Sequence, residues 1–246
     1  MHIKSKINTS LYKSVALGRP YLNAEKELFL FLKTTIDASC YVSCSFGKDS
    51  SVVAHAANFL YNGIPIFAVD PGCPTHWLQR EKTMWISYAK RMGWNLKFFQ
   101  WDKWSCVGGE KDENKARSKI HADMFFDMTE YADSLGLTTR IIGLRAEESK
   151  GRRISLRKLG MDAVLADGRR RIIPVARWST DFIWAYIIKH GLPWLEIYDR
   201  LGPEARNGLV GVNGTNKGRL TYLKLYFPEA WRFAKQVLSN EVLNGV

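Results

Sequence analysis

Apolar positions recur along the chain in two alternating rhythms. In "NAEKELFLFLKTTIDA" (residues 23–38) they fall at helical spacing, with Asn23 or Ala24 near the start. A short apolar run at 40–44 reads as a strand, 49–61 as a helix, and "IPIFAVD" (64–70) as a second strand. A helix follows over about 75–92, closed by Gly93, and then a strand "NLKFFQW" (95–101). Beyond the polar loop "GGEKDENKARSK" (108–119) the pattern predicts a helix ending near Ser134 and a strand "TRIIGLR" (139–145). Short strands alternating with helices imply an α/β fold, a mostly parallel twisted sheet with helices on both faces.

Two later segments depart from this alternation. In "AVLADGRRRIIPV" (163–175), Asp167-Gly168 between apolar runs marks a hairpin and hence an added antiparallel element. "STDFIWAYIIKHG" (179–191) opens on Ser or Thr as N-cap and ends in glycine, which delimits a helix. The last residues hold a glycine-rich loop (207–218) and helical material through Val242, read as a C-terminal helical extension (203–246) of one unit with residues 1–202. No repeat or linker divides the chain.

The 246 residues are 46% hydrophobic and 13% aromatic, enough for a packed core, so global disorder is excluded. A formal charge of +12 favours polyanionic company. Cys40 and Cys44 flank one strand like small buried hydrophobes, and no C-x-x-C pair occurs among the four cysteines. The N-terminus has no apolar core of signal-peptide length and no run approaches a membrane span, so the expectation is a reduced, cytoplasmic protein with no membrane partner.

The chemistry concentrates at the end of the first strand. "SFGKDSS" (45–51) lies where ligands sit in open parallel sheets, and it opens a helix whose first N–H groups and dipole favour an anion. Gly47 admits close backbone approach, Lys48 brings a charge, and Ser45, Ser50 and Ser51 bring hydroxyls. Asp49 makes sense as a brace for the loop or as a ligand for a Mg²⁺ bridging phosphates. The common G-x-x-x-x-G-K-[ST] loop is absent, because "CYVSC" occupies the space before Ser45.

"SFGKDS" resembles the pyrophosphate-loop (PP-loop) signature of N-type ATP pyrophosphatases, which share the adenine-nucleotide α-hydrolase-like (HUP, Rossmann-like) fold. "IFAVDPGCPTH", "IIGLRAEESKGRR" and "RRIIPVARWSTDFIWAYIIKHGLPWLEIYDRLG" are similar to successive segments of the phosphoadenylyl-sulfate reductase-like branch. The ordered matches cover roughly residues 40–202. The resemblance implies ATP, Mg²⁺ and cleavage between the α- and β-phosphates. It implies that Ser45, Phe46, Gly47, Lys48, Asp49, Ser50 and Ser51 form the pyrophosphate cradle, and that Gly143, Ser149 and Arg153 belong to the nucleotide segment. Arg145 would stabilise charge at the α-phosphate, or else pair with Glu147 or Glu148. Asp70 is open between a ribose or metal contact and a loop cap. Trp178, Asp181 and Trp184 serve packing.

Reductases of this branch carry a thiol near the C-terminus, whereas no cysteine follows Cys106 here, and no iron–sulfur cluster is expected. Cys106, with Lys103 and Lys111 nearby, and Cys73 are the candidates for carrying sulfur, against the alternative that both are inert. Residues 140–171 hold ten Lys or Arg against four acids, a net of +6. Lys150, Arg152, Arg157, Arg169, Arg170 and Arg171 are thus candidate nucleic-acid contacts, or a solvated basic face. Lys217 and Arg219 could add to them.

The expected function is ATP pyrophosphatase chemistry that adenylates an acceptor for sulfur incorporation, with DNA phosphorothioation as the nearest family role. The partners so implied are nucleic acid, DNA ahead of tRNA, and a cysteine desulfurase or other sulfur donor, with homo-oligomerisation open. Phosphoadenylyl-sulfate reduction, tRNA thiolation and a non-catalytic nucleotide-sensing subunit are the alternatives.

Overall fold

The computed structural model describes residues 5–70, 79–100 and 125–205, with isolated positions between 224 and 235. Helices α1 (Thr9–Leu17) and α2 (Arg19–Thr35) lead into β1 (Cys40–Ser43), α3 (Lys48–Leu60), β2 (Pro65–Asp70), α4 (Gln79–Arg91) and β3 (Asn95–Gln100). Helix α5 is described over 125–134. Then come β4 (Thr139–Ile142), a 3₁₀ turn (Ala146–Glu148), α6 (Lys150–Leu159), β5 (Asp162–Val164), β6 (Arg170–Ile172), α7 (Thr180–His190) and α8 (Glu196–Leu201).

The six strands lie in the order β3-β2-β1-β4-β6-β5. Every neighbouring pair is parallel except β5 with β6, the expected hairpin, whose turn uses Gly168 at φ 80°. Strand order reverses between β1 and β4, so the crevice for a ligand lies outside the carboxyl ends of those two strands. Strand alternation sorts the side chains. Cys40, Val42, Ile66, Ile141 and Ile172 face a core completed by Leu28 and Leu32 of α2, Val52 and Ala56 of α3, Trp85 of α4, and Ile183 and Trp184 of α7. Tyr41, Phe67, Val69 and Phe99 face the other way, against Met128 and Ala132 of α5. Helices therefore cover both faces.

The sequence boundaries hold to a few residues, with instructive exceptions. Helix α2 begins at Arg19, four residues before the expected start, because Pro20 suits a first helical turn. The expected strand 139–145 stops at Ile142, because Gly143 is pressed against the backbone at the start of α3 and the chain turns away there. Helix α6 has no buried residue, so it left no apolar stripe to detect. Ser179 caps α7 by accepting from the Phe182 amide, and Gly191 ends it in the left-handed conformation, as expected. Cys40 and Cys44 are buried free thiols. Among the described residues, no helix is long and apolar enough to cross a membrane.

A polar network is buried where α2, α3 and α7 meet. The Tyr186 hydroxyl lies 2.8 Å from His55 Nδ1. Glu25 accepts from Tyr21 Oη at 2.8 Å, pairs with Lys189, and lies 2.8 Å from His190 Nε2. Burial, with His190 as a lesser contribution, lowers the His55 pKa from 6.5 to about 4. The unfolded chain therefore binds a proton that the folded chain refuses between about pH 6.5 and 4, so stability falls with falling pH. Below that window about 3 kcal/mol is lost. Glu25, whose pKa is lowered by Lys189, His190 and Tyr21 against its own desolvation, acts in the same direction at lower pH. His55→Gln keeps a partner for Tyr186 and is expected to flatten the urea midpoint between pH 6.5 and 5. An unchanged slope would assign the pH effect elsewhere.

Candidate functional site

The loop joining β1 to α3 is built from main-chain and hydroxyl contacts. Gly47 is the extended N-cap of α3, and its carbonyl accepts from Ser50 Oγ at 3.1 Å and Ser51 Oγ at 3.0 Å. The Ser45 amide donates to Ser50 Oγ at 3.2 Å, and the two hydroxyl oxygens are 3.2 Å apart. Phe46 sits at φ 54°, a conformation non-glycine residues rarely adopt. It is held there by its ring, which is buried, stacks on Trp85 at 4.9 Å and meets Phe98 at 5.9 Å. Tyr198 Oη of α8 accepts from the Lys48 amide at 3.1 Å, so one of the helix's first N–H groups is already satisfied.

Beneath the loop lies a buried charge cluster. Arg145 is 1% exposed. Its Nε donates to Asp49 Oδ1 at 2.5 Å, its Nη1 to Glu147 Oε2 at 2.6 Å and to the Trp178 carbonyl at 3.3 Å, and its Nη2 to Thr180 Oγ1 at 3.0 Å. Glu147 Oε2 also accepts from the Thr180 amide at 3.0 Å. The other Asp49 oxygen is 3.3 Å from Lys48 Nζ. Burial lowers the Lys48 pKa, Asp49 opposes that shift, and the ammonium lies 5.8 Å from the Tyr198 ring centre.

These contacts bear on two expectations. In this structure the Arg145 guanidinium is buried beneath the loop. Each of its three nitrogens is bonded to protein, and it ties the start of α3 to the 3₁₀ turn and the start of α7. The alternative of an ion pair with Glu147 is present as well, beside the pair with Asp49. Asp49 has both oxygens engaged by cations, so it does not fit a Mg²⁺ ligand in this arrangement. Among the described residues, no cluster of three His, Cys, Asp or Glu could hold a metal ion.

Above the loop opens a cavity of about 510 Å³, lined at one end by Ser45, Ser50 and Gly143. The opposite end is walled by Tyr41 and Arg140, by Phe125 and Thr129 of α5, and by Arg152, Arg169, Arg170 and Arg171. The structure thus brings Ser45, Ser50, Gly143 and four of the expected basic residues around one space. Lys150, Arg153 and Arg157 lie on the exposed surface of α6, and Ser149 is its N-cap, accepting from the Arg152 amide at 3.2 Å. Asp70 is buried at the end of β2 and paired with Lys82. Ser51 is buried and turned to the Gly47 carbonyl. Cys73, Cys106, Lys103, Lys111, Lys217, Arg219 and the loop 207–218 lie outside the described residues. Sequence reasoning missed Tyr198 and Thr180. Both fall inside segments whose resemblance was noted, and only the fold shows that they reach the loop and Arg145.

With this geometry in view, comparison with known proteins is informative. The profile of the phosphoadenosine phosphosulfate reductase domain family matches residues 39–202. The chain belongs to that family. A phosphoadenosine 5'-phosphosulfate reductase of Enterobacter sp. (strain 638) is 28% identical over 196 residues, covering 72% of this chain and 70% of that protein. Among solved structures, NMN synthetase from Francisella tularensis superposes with a TM-score of 0.50 at 11% identity, over 91% of this chain and 90% of that one. Phosphoadenylyl-sulfate reductase from Candida auris gives 0.46 at 16% identity, over 78% and 89%. The U34-tRNA thiolase of Methanococcus maripaludis, solved with its [4Fe-4S] cluster, gives 0.49 at 14%, over 87% and 80%. The chain thus shares its overall fold with NMN synthetase from Francisella tularensis.

Gly143 explains how the family fold closes the crevice here. A Cβ at this position would lie 2.5 Å from the Ser50 nitrogen and 2.6 Å from the Asp49 carbonyl carbon and oxygen, all backbone atoms that cannot step aside. Gly143→Ala is expected to cost about 1–3 kcal/mol in urea unfolding. Gly151→Ala on α6, where nothing lies within 4 Å, is expected to be neutral or to add up to about 1 kcal/mol. Equal effects at both positions would contradict the close approach.

Proposed function

We propose that this chain is an enzyme that cleaves ATP between its α- and β-phosphates to adenylate an acceptor for sulfur incorporation, with DNA as the acceptor and a cysteine desulfurase as the sulfur source. The observation supporting this most is the combination of a serine-rich helix start at the β1/β4 reversal with a nucleotide-sized cavity directly above it. Membership of a nucleotide-handling family agrees with it.

In this reading an acceptor oxygen attacks the α-phosphorus, forming a P–O bond while the bond to the β-phosphate oxygen breaks and pyrophosphate leaves. The outer sulfur of the desulfurase cysteine persulfide then attacks the acceptor phosphorus, forming a P–S bond as the P–O bond to AMP, a far better leaving group than an unactivated oxygen, breaks. A thiol reductant then attacks the donor cysteine's sulfur of the remaining S–S bond, leaving the new sulfur on phosphorus and the donor cysteine in a disulfide with the reductant. The hydroxyls of Ser45 and Ser50 and the first turn of α3 hold the departing pyrophosphate. Lys48, paired with Asp49, gains a further anion when phosphate arrives. Arg145 acts at one remove by fixing Asp49 and the loop. Magnesium would supply charge neutralisation when it accompanies ATP, and Asp49 is already engaged by Lys48 and Arg145.

Reduction of a sulfonucleotide is the second reading, and the cysteines weigh on it. Cys44 is fully buried, with its pKa pushed to about 11 by desolvation, and burial also raises Cys40. Neither is a ready nucleophile. That activity would fall to Cys73 or Cys106.

The test is a product assay on the full chain with ATP and Mg²⁺, alone and with DNA, tRNA or adenylyl sulfate, and with a desulfurase. Pyrophosphate release that rises with DNA is expected, and Lys48→Ala and Asp49→Ala should each lower it by about 100-fold or more. ADP with phosphate as the products would refute the proposal. A response to tRNA alone would move the acceptor to tRNA, sulfite from adenylyl sulfate with a thiol donor would favour the reductase reading, and binding without turnover would make the chain a sensor.

A further inference from the structure

The far wall of the cavity carries a feature the loop does not explain. Tyr41, Arg140 and Arg171 are register partners across three adjacent parallel strands, β1, β4 and β6, so their side chains leave the same face of the sheet side by side. Two guanidinium groups on neighbouring strands repel each other. The other arginines of this wall are matched by acids. Arg152 pairs with Glu148, Arg169 with Asp133 at 2.5 Å and Asp167 at 3.5 Å, and Arg170 with Asp162 at 2.6 Å and Asp37 at 3.3 Å. Among the described residues, Arg140 and Arg171 have no carboxylate partner. Arg140 stands beside Tyr41, whose pKa it lowers against the larger upward effect of burial, and lies 5.5 Å from the centre of the Phe125 ring. Arg171 has one long contact, Nη2 to Ser155 Oγ at 3.4 Å, and its Nε is buried with no acceptor. Burial and the neighbouring Arg140 both lower the Arg171 pKa.

Two cations without carboxylate partners line one cavity, and one of them carries a buried donor with no acceptor; this is a costly arrangement, and an anion held between them would relieve the repulsion. Planar guanidinium groups suit tetrahedral oxyanions through paired N–H donors. We infer that Arg140 and Arg171 form a second oxyanion site, for a phosphate or sulfate group, on the sheet face opposite α3. Gly143 is three steps along the chain from Arg140, so this site lies about 10 Å from the loop that opens α3. Both ends belong to the same cavity, so a single ligand with two anionic groups can span them, and a free ion can occupy the far end alone. The site stands on its own geometry, independent of the chemistry proposed for the loop.

The test follows thermal unfolding of the full chain in sodium sulfate, with sodium chloride at matched ionic strength as reference. Sulfate is expected to raise the Tm by at least about 2 °C in the parent and in Lys48→Ala. The rise should vanish in Arg171→Leu and in Arg140→Gln, the second variant serving if the first does not fold. A second arm compares AMP with adenosine 2',5'- and 3',5'-bisphosphates. Tighter binding of either bisphosphate that is lost in both arginine variants assigns the anion to the nucleotide, whereas a sulfate response without that gain assigns it to a free ion. If sulfate stabilises the arginine variants as much as the parent, or if its effect is lost only in Lys48→Ala, the second site does not exist. Neither of those results would touch the pyrophosphatase reading.

Discussion

Arg145 lies beneath the helix start, sealed from water, with its charge answered by Asp49 on one side and Glu147 on the other. A buried guanidinium without partners would cost several kcal/mol, so its position commits four pieces of chain at once. Asp49 must be in the first turn of α3, Glu147 in the 3₁₀ turn, and Trp178 and Thr180 at the entry to α7, while β4 must end where Gly143 can slide under Ser50. The loop above inherits its shape from that frame. Phe46 can hold a left-handed backbone because its ring is clamped by Trp85, and Lys48 is turned inward because Asp49 is already fixed.

Some of this was legible from local pattern. A glycine and a lysine at a strand end, followed by hydroxyls and a helix, marked the loop that opens α3 beside the cavity, because the features that favour an anion at a helix start depend on a few adjacent residues. Asp167-Gly168 marked the hairpin and Ser179 with Gly191 bounded α7, each through chemistry confined to one turn. The parts that escaped are those made across the fold. Arg145 meets Asp49 over a separation of 96 residues, a contact that no local motif announces. Tyr198 reaches Lys48 from 150 residues away. Helix α6 buries none of its residues, so periodicity could not reveal it.

Charge tells the same story at larger scale. The sequence shows a block of ten cations against four acids and cannot say which cations are already answered. The fold sorts them. Arg152, Arg169 and Arg170 are neutralised within the structure, Lys150, Arg153 and Arg157 stand on the surface of α6, and Arg140 with Arg171 face the cavity. A basic composition thus resolves into internal braces, an exposed basic helix suited to a polyanion, and a pair of cations at the end of a nucleotide-sized space.

The frame under the loop is tested most directly by a double-mutant cycle on Asp49 and Arg145, using Asp49→Asn, Arg145→Met and the pair, read by urea unfolding. Each single change should remove about 3–5 kcal/mol by stranding its partner. The double variant should lose distinctly less than their sum, a coupling of about 1–3 kcal/mol. Strict additivity would mean that the two charges do not hold each other, and the account of how this chain shapes its site would be wrong.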